Sequence, residues 1–532
     1  MKRVLFAFSV LASFWIAACS GGNGVVTPPP PVGKYSVASL KGQYAFTTSG
    51  EVFASGAGSS IPLDRTGSFT ADGTGVITGG VEDVVEPTVL PNLAIPITGG
   101  SYTVNADGRG TLTLNVTAAG VPSTINFGIV LTSTSDGLMI DETSSQTQAS
   151  TGSGNFTLQN AASFTSPVLP VTATYVFDFT GLGGTGAPDS LVGEFTAGSG
   201  VITAGFEDAN DNFSLTSGTI PPGSLSQDPA NASTLTSFGR GTAQIAGESY
   251  IFYIVDSTRL RFLSTGGGAM LSGDAVVQDN TVPASVSAFN SGFAFIVAGS
   301  DAGGNGVTRV GRFTANGAAV TNVLQDTNDA GKFILTDSGT NASVSLDAAN
   351  PGRGTLTFTD PNFKNSPSTY IFYLNSATRG VIQEQTLASG APTNVADGTI
   401  AAQTGSPFSS TNITGTYALN WSGVSVQGGV SDEEDLLSEV TLSSLNLTGA
   451  ADIFQFQSAG PITNLATSGS ITIKGDGTSS TNSNRNTMAV TLKQSNSTTV
   501  NFVVYFVSPQ LAFFANNQDM NRTVAGILQV QQ

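Results

Sequence analysis

Apolar and polar residues alternate at period two around four aromatic-rich pairs, Tyr44/Phe46, Tyr175/Phe177, Phe293/Phe295 and Tyr417/Leu419. Residues two apart on a strand share a face, so each pair marks a strand with one apolar side. Around Tyr175 such runs recur near 174–181, 190–197, 200–207, 214–220, 241–247, 249–256, 259–264 and 270–278. Gly, Asn, Asp or Ser turns separate them, and no segment sustains a 3.6-residue period. Eight short strands in sequence predict an up-and-down barrel, whose closure leaves no exposed edge. A β-sandwich is the alternative. A propeller blade, at about 40–50 residues, is too small for the unit.

That unit repeats. Gly67-Ser-Phe-Thr-Ala, Gly193-Glu-Phe-Thr-Ala and Gly311-Arg-Phe-Thr-Ala place Phe69, Phe195 and Phe313 at intervals of 126 and 118 residues. Gly-Arg-Gly-Thr recurs at Arg109, Arg240 and Arg353, and Asn-Arg-Asn-Thr stands at Arg485. Asn tolerates left-handed backbone best after Gly, so the swap predicts a positive-φ turn. Each copy closes on Gly-x4-Gln, at Gln159, Gln278, Gln403 and Gln531. The chain therefore reads as all-β, with four tandem antiparallel meander domains at 40–164, 165–283, 284–407 and 408–532. The fourth lacks the Gly-x-Phe-Thr-Ala phrase and is the most diverged. The expected arrangement is beads on a string, each bead with its own core.

Composition narrows the chemistry. The chain of 532 residues has no histidine and one cysteine, Cys19. Imidazole acid–base catalysis, histidine metal sites, and disulfides or cysteine zinc sites within one chain are thereby excluded. Charged residues make up only 11% while Gly numbers 64, a balance that suits a β-rich extracytoplasmic protein. Removing residues 1–19 would take Lys2 and Arg3 from the 19 basic residues, leaving 17 against 37 acids, a net charge of −20. Such a surface repels phosphate backbones, so nucleic acid is not an expected partner.

The N-terminus reads as an address. Met1-Lys2-Arg3 precedes an apolar run, Val4 to Ala18, too short for a span of about 20 residues and suited to a signal peptide. Ile16-Ala17-Ala18-Cys19 resembles the lipobox of bacterial lipoproteins. That resemblance implies cleavage before Cys19, acylation of its sulfur and new amino group, and a membrane partner. Ser20 in place of Asp resembles lipoproteins sorted to the outer membrane, with periplasmic and surface faces both open. Residues 20–39 read as a Gly/Pro-rich tether. With its lipobox and Gly/Thr-rich repeats, the chain resembles lipoproteins common in predicted proteomes of Acidobacteria-like soil bacteria. The resemblance implies address and fold, and no reaction.

Several residues could carry chemistry. Glu82-Asp83 and Glu207-Asp208 recur, but neighbours on a strand point to opposite faces, a poor arrangement for paired carboxylate catalysis. Asp208, Asn210 and Asp211, with Asp326, Asn328 and Asp329, are oxygen-rich and could hold Ca²⁺, although these residue types are also the usual hairpin formers. Asp432-Glu433-Glu434-Asp435 reads as a solvated acidic loop. Arg109, Arg240, Arg353 and Arg485 read as structural, pairing with an acid or packing along a barrel end. The sequence as a whole is read as a lipid-anchored, non-catalytic envelope protein acting as a structural, adhesive or interaction module. Binding of a small ligand, glycan or Ca²⁺ by the barrels is the alternative, and a hydrolase using carboxylates alone is a second.

Overall fold

The computed structural model describes residues 33–54, 60–87, 91–144, 148–266, 268–360, 367–385, 387–388, 391–427, 430–455, 460–474, 485–493 and 497–532. The signal peptide, Cys19 and most of the tether lie outside them. Among the described residues no helix is long and apolar enough to cross a membrane.

The described chain forms four closed eight-stranded antiparallel up-and-down barrels. Barrel one runs through Lys41–Ala54, Ser60–Asp72, Val76–Val85, Asn92–Tyr102, Arg109–Ala118, Val121–Leu131, Asp136–Asp141 and Gln148–Leu158, whose last strand pairs with the first. Barrel four closes the same way, Gly415–Gln427 pairing with Arg522–Val530. In barrel two the fourth strand is split into Ser214–Ile220 and Gly223–Gln227, both paired with Val201–Asp211. Pro221 and Pro222 fall in the gap, where neither can donate to the ladder. Barrel three has the corresponding split between Lys332–Ser338 and Thr340–Leu346.

The repeated phrases have packing causes. The alternating aromatics of each first strand point inward, where Tyr44 stacks on Phe69 at 5.6 Å, Tyr175 on Phe195 at 5.6 Å and Phe293 on Phe313 at 5.4 Å. The glycine two residues before that Phe is needed because the other first-strand ring lies over it. A Cβ there would meet Phe46 at 2.6 Å in barrel one, Phe177 at 2.6 Å in barrel two and Phe295 at 2.5 Å in barrel three. Barrel four has Ser438 opposite Leu419, and its interior is filled instead by Trp421 against Phe502 at 5.2 Å. The expected left-handed turn is present: Gly108, Gly239 and Gly352 have φ of +84°, +68° and +92°. The Asn484 that replaces them in the fourth copy lies outside the described residues.

The barrels are not beads on a string. Outward-facing apolar residues of one barrel are buried against the next: Ala45 and Val81 with Ile251 and Val255, and Val176 and Val192 with Ile371 and Val381. A larger cluster joins Val130, Leu138 and Ile140 of barrel one to Ile296 and Val310 of barrel three and to Leu437, Val503 and Ile527 of barrel four. Strands that carry apolar side chains on both faces cannot leave one face in water. The first and last described segments thereby meet, and the Tyr35 hydroxyl donates to the Gln532 carbonyl at 2.8 Å.

Candidate functional site

Each repeat places its most regular polar residues at a seam between barrels. Arg240 of barrel two binds Asp83 of barrel one through Nε at 2.8 Å and Nη2 at 2.7 Å, and the Tyr253 hydroxyl donates to the same carboxylate at 2.5 Å. Arg353 and Tyr373 of barrel three hold Asp208 of barrel two in the same way, at 2.7, 2.7 and 2.5 Å. Arg485 and Tyr505 of barrel four hold Asp326 of barrel three at 2.9, 2.5 and 2.5 Å. Planar guanidinium on carboxylate is a two-point contact, so it fixes orientation as well as charge. Burial works to lower Arg240 and Arg485, and the facing carboxylates outweigh it, holding both above their ordinary pKa.

The fourth seam returns to the start. Arg109 of barrel one reaches Asp452 of barrel four at 3.7 Å and donates to Asn464 at 2.7 Å. Val130 stands where the other seams have tyrosine, opposite Arg109 in the ladder as Tyr253 is opposite Arg240. The closing glutamines complete the circle. Gln159 donates to the carbonyls of Phe238 and Ile254, Gln278 to Pro351 and Leu374, Gln403 to Phe506, and Gln531 to Asp107 and Leu131. The following amide repeats a second bond at every seam: Asn160 to Val255, Asp279 to Asn375, Thr404 to Val507 and Gln532 to Thr132, at 2.7–2.8 Å. Barrel four is tied to barrel one as barrel one is to barrel two, so the chain is a closed ring with fourfold pseudo-repetition.

Strand alternation separates the paired acids as expected. Asp83 and Asp208 point outward to the seams, whereas Glu82 and Glu207 point inward to one mouth of their barrels. Near that mouth, barrel one buries Arg65 against Glu82 at 3.6 Å and Asp141 at 3.7 Å. Barrel three sets Arg309 against Glu384 at 2.8 Å, with the Tyr370 hydroxyl donating to Gln325 at 2.5 Å. In barrel four, Arg522 Nε lies 3.0 Å from both oxygens of Glu434, which also accepts from Trp421 Nε1 at 3.1 Å. Burial, partly offset by Arg65, pushes Glu82 up to about 7.

The residues considered for Ca²⁺ are distributed over these features. Asp208 and Asp326 are engaged by arginine and tyrosine at seams. Asn210 donates to the Asn394 carbonyl at 2.8 Å and Asn328 to the Arg522 carbonyl at 2.7 Å, both across a seam. Asp211 is exposed at the mouth of barrel two, and Asp329 is half-buried at that of barrel three.

The acidic run of barrel four is not a solvated loop. It belongs to the strand Val430–Ser443, and Glu433, Glu434 and Asp435 are 4%, 0% and 0% exposed. The strand extends along Gly415–Gln427, sending Glu434 into the barrel and its neighbours outward to barrel one, where Thr151 donates to Asp435 at 2.7 Å. Burial drives Glu433 upward, with Asp435 and Glu51 adding repulsion, and burial raises Asp435 to about 7.

Sequence reasoning missed Arg65, Arg309 and Arg522 because only the first two share a repeat position, and Arg522 enters from the last strand of its barrel. It also missed Tyr253, Tyr373 and Tyr505 as acid partners. Their signal was a tyrosine on the apolar strand that follows each repeated arginine, and the ladder sets it directly opposite that arginine in each case.

No family model matches the chain, and the curated proteins contain no match to it. Similar solved structures include intact Ap-TbpB with its N and C lobes, at 12% identity and TM-score 0.21, covering 75% of this chain and 83% of that one. Another is a mutant of the vaccine antigen transferrin-binding protein B from Haemophilus parasuis, at 11% identity and TM-score 0.20, covering 95% and 98% of the two chains. At those scores the similarity carries no argument about this chain.

Proposed function

We propose that this protein is a lipid-anchored, non-catalytic component of the cell envelope that acts as a rigid interaction scaffold. The observation that supports the reading most is the use made of the recurring polar residues. Arg240, Arg353 and Arg485, with the closing glutamines, hold one barrel to the next rather than converging on a reactive cleft. Adjacent Glu207 and Asp208 face opposite ways, which removes the most regular carboxylate pair from hydrolysis. A ring of four barrels fixes the spacing of its loops, a property suited to binding an envelope protein or glycan at several points.

The test joins anchor and partner. In the native host, labelled palmitate should enter the wild-type chain and not Cys19→Ser, and the variant should leave the outer-membrane fraction. Photo-cross-linkers at exposed Val121 and Val171 should then capture an envelope protein or polysaccharide in wild-type cells. Failure of Cys19 to take up label overturns the anchor. A labelled, correctly sorted protein that yields no adduct from either position overturns the scaffold role.

A further inference from the structure

Barrel two differs from its three siblings at the inward acidic mouth. Arg65 and Arg309 each stand two residues before the repeated glycine, and the equivalent residue in barrel two is Leu191. Arg522 stands nine residues before its closing Gln531, and nine before Gln278 is Ala269. Barrel two therefore has no arginine at either position that neutralises a sibling mouth. Its own basic residues are Arg240, Arg259 and Arg261. The first is bound to Asp83 and Asp228, the second to Asp274, and the third to Asn155 and Thr157.

The acids of that mouth nevertheless remain. Glu207 and Asp211 face inward from the third strand, and Asp189, from the second, lies directly opposite Asp211 in the ladder. A Cβ at Gly183 would lie 3.1 Å from Asp211 Oδ1 and 3.4 Å from Asp189 Oδ2, so the two carboxylates converge beside it. Asp189 is 8% exposed and its Oδ1 has no hydrogen-bond partner; Glu207 Oε2 is likewise buried and unpartnered. A buried carboxylate oxygen without a donor is costly; Arg309 donates to Glu384 in barrel three and Arg522 to Glu434 in barrel four, while in barrel one Arg65 offsets the charge of Glu82 from 3.6 Å. Burial, with Asp211, Asp397 of barrel three and Glu207 adding repulsion, pushes Asp189 up to about 7, and burial with Asp208 pushes Glu207 up to about 7. Asp211 is exposed, which gives the cluster a solvent-facing rim.

We propose that the mouth of barrel two binds a small organic cation, through a guanidinium or primary ammonium group placed where its siblings hold an arginine. The sibling mouths favour this over a metal ion, because each sets a guanidinium against its inward acid. Asp189 and Glu207 would take the cationic head and Asp211 the entrance. The inference goes beyond the envelope role and does not depend on the anchor.

Calorimetric titration of the full chain with methylguanidinium tests it, with n-butylammonium and Ca²⁺ as competitors. One site per chain is expected, and affinity should fall at least tenfold from pH 8 to pH 6, as protonation of the two acids removes the charge that attracts the ligand. Leu191→Arg should abolish binding and raise the melting temperature, because it supplies the missing internal cation. Glu207→Gln should weaken binding at least tenfold with an unchanged circular dichroism spectrum, which keeps the test decisive if Leu191→Arg does not fold. Absence of binding at pH 8, binding unaltered in either folded variant, or displacement by equimolar Ca²⁺ would overturn the proposal.

Discussion

Three seams of the ring are built alike and the fourth is not. At the seams entered by Arg240, Arg353 and Arg485, guanidinium and tyrosine together saturate one aspartate of the preceding barrel. At the closing seam Arg109 stands 3.7 Å from Asp452, Val130 supplies no hydroxyl, and Glu433 and Asp435 lie buried toward the acids of barrel one. The backbone and glutamine contacts, by contrast, recur at every seam. The difference teaches a division of labour. Main-chain and glutamine bonds set where barrels dock, while the ion clusters decide how firmly each seam is held. In the closing seam the apolar contacts of Val130, Leu138 and Ile140 take a larger share.

The largest effect should come from removing the aspartate of a complete seam. Asp326→Ala leaves Arg485 and Tyr505 facing a gap, and an uncompensated buried charge typically costs about 3–5 kcal/mol. Asp452→Ala should cost only about 1 kcal/mol, since Arg109 keeps Asn464 and Asp107. Urea unfolding of the two variants measures both. Equal losses would break the distinction between seams.

The fold was legible because its signals are local and repeated. Period-two aromatics, turn glycines and closing glutamines each report a strand or a turn, and four copies reinforce one another. The ring was not legible, because a seam joins residues more than a hundred positions apart, as Asp83 and Arg240 are, and no periodicity encodes such a pairing. Strand alternation did separate Glu207 from Asp208, yet it could not say what each would meet. The run 432–435 misled for a related reason. Its charge density suggests water, whereas its strand partners and the neighbouring barrel place its last three side chains in the interior. The bare mouth of barrel two was not legible, because Arg65 and Arg309 enter from second strands while Arg522 enters from a last strand.

Acidity should sharpen the comparison next. Asp435 stands at about 7 in the folded chain, through burial, and Glu433 is raised well above its ordinary value. Both exceed their unfolded values, so the folded state holds protons more tightly. Stability is then fullest at low pH and falls as pH rises toward and through the folded pKa, here between about pH 5 and 8. Each tenfold difference in proton affinity between the folded and unfolded chain is worth about 1.4 kcal/mol. The groups facing one another across this seam are Glu433, Asp435, Glu51 and Asp64. Melting temperature should therefore drop between pH 5 and 8, and Glu433→Gln with Asp435→Asn should flatten that drop. A seam that loses no stability over this range in the wild type would show that the acids stay ionised throughout.

Smaller effects are expected from the tyrosines. Tyr505→Phe keeps the ring and removes the hydroxyl that donates to Asp326, so a loss of about 1.5–3 kcal/mol is expected, the range for a hydrogen bond to a charged group. Tyr253→Phe and Tyr373→Phe should match it, because their partners have the same geometry. Thermal or urea unfolding reads all three. A near-neutral outcome at one seam alone would mean that water or another donor takes the vacated oxygen there, and the three seams would no longer count as equivalent.

The smallest effect tests what the four seams share. Gln278 spans two carbonyls of barrel three at 2.7 and 2.9 Å, and Gln531 spans two of barrel one at 2.9 and 2.8 Å. If docking is set by these bonds and holding strength by the ion clusters, Gln278→Ala and Gln531→Ala should cost the same, about 1 kcal/mol each, despite the difference between their seams. The two sites are far apart and share no partner, so their effects should add in the double variant. A much larger loss for Gln531→Ala would mean that glutamine substitutes for the missing tyrosine at the closing seam. Docking and holding would then be one function there, and the ring would open first between barrels four and one.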